Sequence, residues 1–146
     1  MRRVVFDTTI LVSAFLRPGG LADELLTLAA EDQFELVLSS AIIIETWRTL
    51  MSNERIRAEY PFSDERVHIY CLSLSEQATE VLRATPPLSG IVRDPRDDMI
   101  VACAVAGDAD TVVSRDKDLL SLGSYRAISI MTPEAFRQEL RAAERS

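Results

Sequence analysis

The sequence predicts an α/β fold built on a mainly parallel sheet. Three observations carry that reading. Short apolar runs rich in Val, Ile and Phe alternate with longer stretches whose apolar residues recur at helical spacing, as in parallel strands joined by helices. Glycines and prolines are few and mark the breaks, as at Pro18-Gly19-Gly20, Pro61 and Pro86-Pro87. Aspartates follow two of the strand-like runs: Asp7 after Val4-Val5-Phe6, and Asp116 after Thr111-Val112-Val113-Ser114. Ligands of parallel sheets bind at the carboxyl ends of strands.

Element by element, Arg3 to Phe6 reads as a short buried strand. Thr8 or Thr9 can cap a helix to about Leu16, which Pro18-Gly19-Gly20 stop. Leu21 to Glu31 has Leu21, Leu25, Leu28 and Ala29 at helical spacing. Phe34 to Leu38 is a second strand, and Ser39 or Ser40 caps a helix from Ala41 to Met51. Another helix spans roughly Ser63 to Leu74, while Ser75 to Leu82 fits helix or strand equally. A loop opens at Pro86-Pro87 and lasts to about Arg96. Asp97 or Asp98 starts a helix through Ala106, which Gly107 ends. Thr111 to Ser114 is a strand, Asp116 to Leu122 a turn or short helix, and Ala127 to Met131 the last strand. Thr132-Pro133-Glu134 starts the final helix, with Thr as cap and Pro in the first turn.

A chain of 146 residues suggests one domain, 1–146, and a 47% hydrophobic composition supplies its core. The net charge of −7 argues against holding a nucleic-acid backbone by bulk charge; it suits bound cations or a basic partner. The single histidine, His68, excludes a multi-histidine site. Cys71 and Cys103 lack zinc-site spacing and read as reduced core thiols. The start, MRRVVFDTTILVSAFL, imitates a secretory signal, but Asp7 breaks the apolar run. No segment reaches the ~18 apolar residues that cross a bilayer. A cytoplasmic protein is expected.

Seven aspartates lie between Arg93 and Leu119: Asp94, Asp97, Asp98, Asp108, Asp110, Asp116 and Asp118. Strand ends and the first turns of the following helices share one face of a parallel sheet. Asp7, Asp116 and Asp97 or Asp98 therefore converge there, with Glu45 reaching in from the helix that begins near Ala41. Each has a plainer explanation. Asp7, Asp97 and Asp98 can be helix caps, Asp116 a turn residue, and Glu45 the i,i+3 partner of Arg48. Together they are costly. At ~6 Å and an effective dielectric of ~20 each pair repels by about 3 kcal/mol. Four charges then cost more than ~10 kcal/mol, against a domain stability of ~5–15 kcal/mol. The cluster must take up protons or bind cations, and oxygen ligands suit Mg²⁺ or Mn²⁺. That chemistry points to phosphodiester hydrolysis. The hydroxyls of Thr8, Thr9, Ser13 or Ser114 are placed to orient a water or phosphate.

The segments VVFDTTILVSAFL, LVLSSAIIIETWRTL and DPRDDMIVACAVAGDADTVVSRDKDLL resemble the PIN-domain ribonucleases, and among them the VapC-like toxins of bacterial toxin–antitoxin pairs. The resemblance covers nearly the whole chain and is weakest from Arg55 to Pro87. It implies a Rossmann-like, three-layer α/β/α fold with about five strands in the order 3-2-1-4-5. It implies an acidic cleft holding Mg²⁺ or Mn²⁺ and endonucleolytic cleavage of RNA. By motif, Asp7 matches the first acid, Glu45 the second and Asp116 the fourth. The third falls on Asp98 in one register, the first choice, and on Asp97 in the other. Asp118 matches an additional acid near the metal. Thr9 stands where asparagine is common, and Ser114 where threonine is usual. The resemblance also implies a protein antitoxin whose basic side chains fill the cleft, and a homodimer. Apolar helices near Ile43, Trp47 and Ile69 can supply an interface or core, with core expected for most of them.

Two readings compete with the nuclease. A non-catalytic binding module would share the fold and leave the acids unused. A receiver-like phosphoacceptor wants paired acids directly after its first strand, where Asp7 stands alone. A phosphatase with an Asp-x-Asp nucleophile is disfavoured because Thr8-Thr9 follow Asp7.

Overall fold

The computed structural model describes residues 1–145; Ser146 lies outside the described residues. Strand β1 (Arg3–Phe6) is followed by α1 (Thr8–Leu16) and α2 (Leu21–Ala30), then β2 (Glu35–Ser39). Three helices follow, α3 (Ser40–Ser52), α4 (Glu54–Glu59) and α5 (Asp64–Gln77), before β3 (Glu80–Leu82). A 3₁₀ turn (Pro95–Asp97) leads into α6 (Asp98–Ala106) and β4 (Thr111–Val113). The chain ends with α7 (Lys117–Leu122), β5 (Ser124–Tyr125), β6 (Ile128–Met131) and α8 (Pro133–Glu144). The ambiguous stretch Ser75 to Leu82 divides, as α5 continues to Gln77 and β3 begins at Glu80.

The sheet has six strands in the order β3-β2-β1-β4-β6-β5. Its five parallel strands keep the expected order, with β6 in fifth place. The sixth, β5, is an antiparallel addition to the edge, beyond the five expected. Gly123 (φ 72°) ends α7, and Arg126 (φ 54°) turns the β5–β6 hairpin. Such two-residue turns need positive φ and usually announce themselves as Asn-Gly or Asp-Gly. Arg126-Ala127 carries no such signal.

Layers of helix cover both faces. Consecutive strand residues point to opposite sides, so Phe6 and Val5 face different layers. Phe6 meets Phe34 and, from α8, Phe136, with ring centroids 5.8 and 6.5 Å away. Val5 pairs in register with Val37 on the side of α6. Where α6 ends, a Cβ on Gly107 would stand 2.6 Å from Val37 Cγ1, so only glycine lets the helix lie this close. A smaller apolar cluster of Leu50, Val67 and Cys71 packs with Phe15 and Phe62 between α1, α3 and α5. Both cysteines are free and buried. Core was the expectation for most of the apolar side chains near Ile43, Trp47 and Ile69, and here the structure differs. Ile43 is half-buried, but Trp47 (36% exposed) and Ile69 (58%) join Ile44 and Leu72 on the outer surface of α3 and α5. Both helices divide their inward residues between the small cluster and the main core, which takes Ile42 and Leu74, and among the described residues nothing covers their outer faces. Among the described residues, no helix is long and apolar enough to cross a membrane.

The amino ends of the strands are closed by arginine. Arg3 reaches Glu35 (2.9 Å), Glu80 (2.6 Å) and the Gly107 carbonyl (2.8 Å). Arg2 bonds Glu139 (2.7 Å) and the Thr111 hydroxyl, and Asp110 accepts from the Arg3 amide at 3.0 Å.

Candidate active site

At the opposite, carboxyl ends of the strands lies a cleft of about 320 Å³. Asp7, Thr8, Thr9, Glu45, Asp94, Arg96, Asp97 and Asp116 line it, with Met99 and Ile100 as its apolar lining.

Asp7 caps α1, its Oδ1 accepting from the Ile10 amide at 3.2 Å. The same oxygen accepts from the Thr9 hydroxyl at 2.6 Å, while Ser114 Oγ donates to Oδ2. Both hydroxyls are themselves held by the loop after β4. Arg115 N–H donates to Thr9 Oγ1 (3.1 Å), and Asp116 N–H donates to Ser114 Oγ (2.8 Å). Two hydroxyls thus couple the ends of β1 and β4 and fix the carboxylate between them. Burial pushes the Asp7 carboxyl up to about 6; the Ser114, Thr9 and Ile10 hydrogen bonds oppose the rise, and the Asp116 charge adds to it.

Asp116 caps α7, with Oδ1 accepting from the amides of Asp118 (2.8 Å) and Leu119 (3.2 Å). The helix cap considered from sequence at Asp7 is therefore real, Asp116 caps a short helix where a turn residue was considered, and both residues also line the cleft.

Asp97 and Asp98 part company at the start of α6. Asp97 closes the 3₁₀ turn, makes no capping bond and faces the cleft. Its Oδ2 is buried with no hydrogen-bond partner, and so is Thr8 Oγ1. Burial, with the nearby charges of Asp116, Asp94 and Asp7, pushes Asp97 up to about 7. Asp98 is 5% exposed and does not line the cleft. Its carboxylate accepts from the amides of Val92 (2.8 Å) and Gly90 (3.1 Å), pinning the long loop before α6. Of the two alternatives, the fold brings Asp97 to the other acids and turns Asp98 to the loop.

Glu45 sits at the rim, half-buried, paired with Arg48 at 3.2 Å as the plainer reading supposed. Asp118 is not among the residues that line the cleft. One carboxylate oxygen each from Asp94, Asp97 and Asp118 fall within 4.8 Å of one another, a spacing that fits a shared cation. Asp94 was counted in the sequence but given no role, because a loop aspartate carries no periodic signal. Arg96 holds its carboxyl below the usual carboxylate range.

Comparison with known proteins agrees with this architecture. A family model described as a PIN domain matches residues 3–118. No curated protein matches the sequence. Among solved structures, VapBC2 from Rickettsia felis, bound to a DNA fragment from its promoter, superposes with a TM-score of 0.58. The two are 12% identical, over 88% of this chain and 96% of that one, so the likeness is one of fold.

Proposed function

Starting from a chain that belongs to the PIN-domain family, we propose that it is a Mg²⁺- or Mn²⁺-dependent endoribonuclease, the toxin of a cytoplasmic toxin–antitoxin pair. The observation that carries the nuclease reading is Asp97: a buried carboxylate oxygen without a partner, in a cleft with Asp7, Asp94 and Asp116. A buried acceptor left bare costs on the order of 1–3 kcal/mol unless a ligand satisfies it.

The donor set fits a hard divalent cation. Every candidate is an oxygen, the Thr8 hydroxyl is also bare, and three of the carboxylates are near enough to share one ion. Asp97 would hold it together with Asp94 and Asp118, the three carboxylates at that spacing, while Asp7 and Asp116 line the same cleft. When bound, such an ion stabilises developing charge on a phosphodiester and makes water a better nucleophile near neutral pH. The chain's own groups do the rest. Thr9 and Ser114 keep Asp7 from rotating. Glu45, at the rim, accepts the proton of the attacking water. Asp97, neutral below about pH 7 while the cation is absent, gives up its proton to receive one. Met99 and Ile100 supply the apolar part of the lining.

The partners follow from the same surface. An acidic cleft attracts the basic side chains of an antitoxin. The uncovered apolar residues of α3 and α5, Ile44, Trp47, Ile69 and Leu72, suit a homodimer contact.

The test is cleavage of single-stranded RNA by the purified protein with Mn²⁺, with EDTA, and in Asp116→Asn. Cleavage that needs the metal and falls on the order of 10²–10³-fold in the variant supports the reading. Mn²⁺-independent binding of RNA without any cleavage would favour the non-catalytic module.

A further inference from the structure

Arg96 is the one cation among the described residues that line the cleft. It stands in the 3₁₀ turn directly before Asp97. Its side chain is 87% exposed yet oriented. Nε donates to both Asp94 oxygens at 3.2 Å, Nη2 donates to Oδ2 at 2.8 Å, and the Arg96 amide bonds Asp94 Oδ1 at 3.0 Å. Other arginines near the strand ends are differently committed, Arg48 to Glu45 and Arg115 to Glu134.

A guanidinium has five N–H donors in a planar fork. Asp94 takes the Nε–Nη2 edge. No acceptor among the described residues bonds Nη1, so the outer edge of the fork is presented to solvent at the mouth of the cleft. Asp94 has already restricted the side chain, so little further freedom is lost when that edge binds. A planar double donor matches two oxygens of a phosphate. The need is plain from charge: with −7 overall and five carboxylates along its walls, the cleft repels a polyanion. A divalent cation deep in the cleft can offset the charge of the acids around it. A neighbouring phosphate of the same strand needs a cation at the rim.

We propose that Arg96 is the phosphate-binding residue of this cleft: Asp94 holds one edge of its guanidinium, and the other edge grips a phosphate of the bound strand beside the one that is cut. This rests on the nuclease reading above. It assigns to Asp94 a second task, as the strut that aims Arg96.

The experiment compares wild type, Arg96→Gln and Arg96→Lys in Mn²⁺-dependent cleavage of a fluorescein-labelled single-stranded RNA over a series of NaCl concentrations. Arg96→Gln raises KM about 10-fold and changes kcat less than about 3-fold. It also flattens the plot of log(kcat/KM) against log[salt] by about 0.7, the share of one single-strand phosphate contact. Arg96→Lys recovers the salt slope but only part of the KM, since it keeps charge without the fork. The Mn²⁺ midpoint, read from the melting temperature without RNA, separates a phosphate contact from a mere partner of Asp94. A contact leaves that midpoint within about 3-fold. Wild-type KM and salt slope in Arg96→Gln, or a change confined to the Mn²⁺ midpoint, overturns the assignment while leaving the nuclease intact. Absence of cleavage by the wild type overturns both.

Discussion

The two ends of the sheet use the same residue types to opposite effect. At the amino ends, carboxylates are matched. Glu35 and Glu80 share Arg3, and Asp110 and Glu139 share Arg2. Burial would lift Asp110, but the Thr111 hydroxyl, the Arg3 amide and the Arg2 charge outweigh it and hold its carboxyl below the usual value. At the carboxyl ends, Asp7 and Asp97 are driven up to about 6 and 7, and among the described residues neither has an ion-pair partner. Arg96 at the rim is occupied by Asp94. One end is electrostatically finished by the fold. The other is left for a ligand to complete, which is how a binding site differs from a structural ion-pair network.

Substitutions can break that contrast, and the largest effect is expected at neighbouring residues with opposite outcomes. Asp98→Ala strips the acceptor from two loop amides and costs roughly 3 kcal/mol; Asp97→Ala relieves repulsion and raises the melting temperature of the metal-free protein. Chemical denaturation of both variants checks this, and equal destabilisation would contradict the placement of the two side chains. Next in size is the ligand itself. Mn²⁺ at about 100 times its Kd should add about 2.7 kcal/mol of stability. In Asp97→Ala most of that gain is gone, whereas Arg3→Ala leaves it intact.

Acidity gives a third comparison. The folded values of Asp7 and Asp97 lie above the ordinary 3.8, so between those values the native protein keeps protons that the unfolded chain has lost. That stabilisation is complete below about pH 4 and is lost as pH rises through 6 and 7. Asp7 accounts for on the order of 2–3 kcal/mol of it. The metal-free melting temperature should therefore fall from pH 5 to 7.5 and level off above, and Asp7→Asn should flatten the curve. Asp110 has the opposite sense, its stabilisation being present above the ordinary value and lost on acidification below it. The smallest effect belongs to the finished end. Arg3→Ala, partly exposed and screened, should cost about 1 kcal/mol and leave RNA cleavage unchanged.

Much of this was legible in the letters, and the failures are instructive. Asp7 and Asp116 follow buried strands, so their place at one end of a parallel sheet could be read directly. Thr9 and Ser114 were visible as hydroxyls nearby, but not as the pair that clamps Asp7. The choice between Asp97 and Asp98 was beyond periodicity. Adjacent residues at a helix start point about 100° apart, and the 3₁₀ turn from Pro95 decides which one turns inward. Hairpin β5–β6 stayed hidden because an arginine occupies a backbone conformation that usually advertises glycine. The short helix α4 was missed because, with no buried residue, it has no apolar stripe to find.

Trp47 gives the molecule a built-in optical reporter. It is the only tryptophan, it stacks on His68 with centroids 6.0 Å apart, and its indole N–H donates to His68 Nδ1 at 3.0 Å. It sits on α3 two residues beyond Glu45, but among the uncovered apolar side chains rather than in the acid cleft. Its emission should shift toward the blue when a protein covers that surface and hold steady when only an ion enters the cleft. One cuvette can thus tell the arrival of a second polypeptide from the arrival of metal.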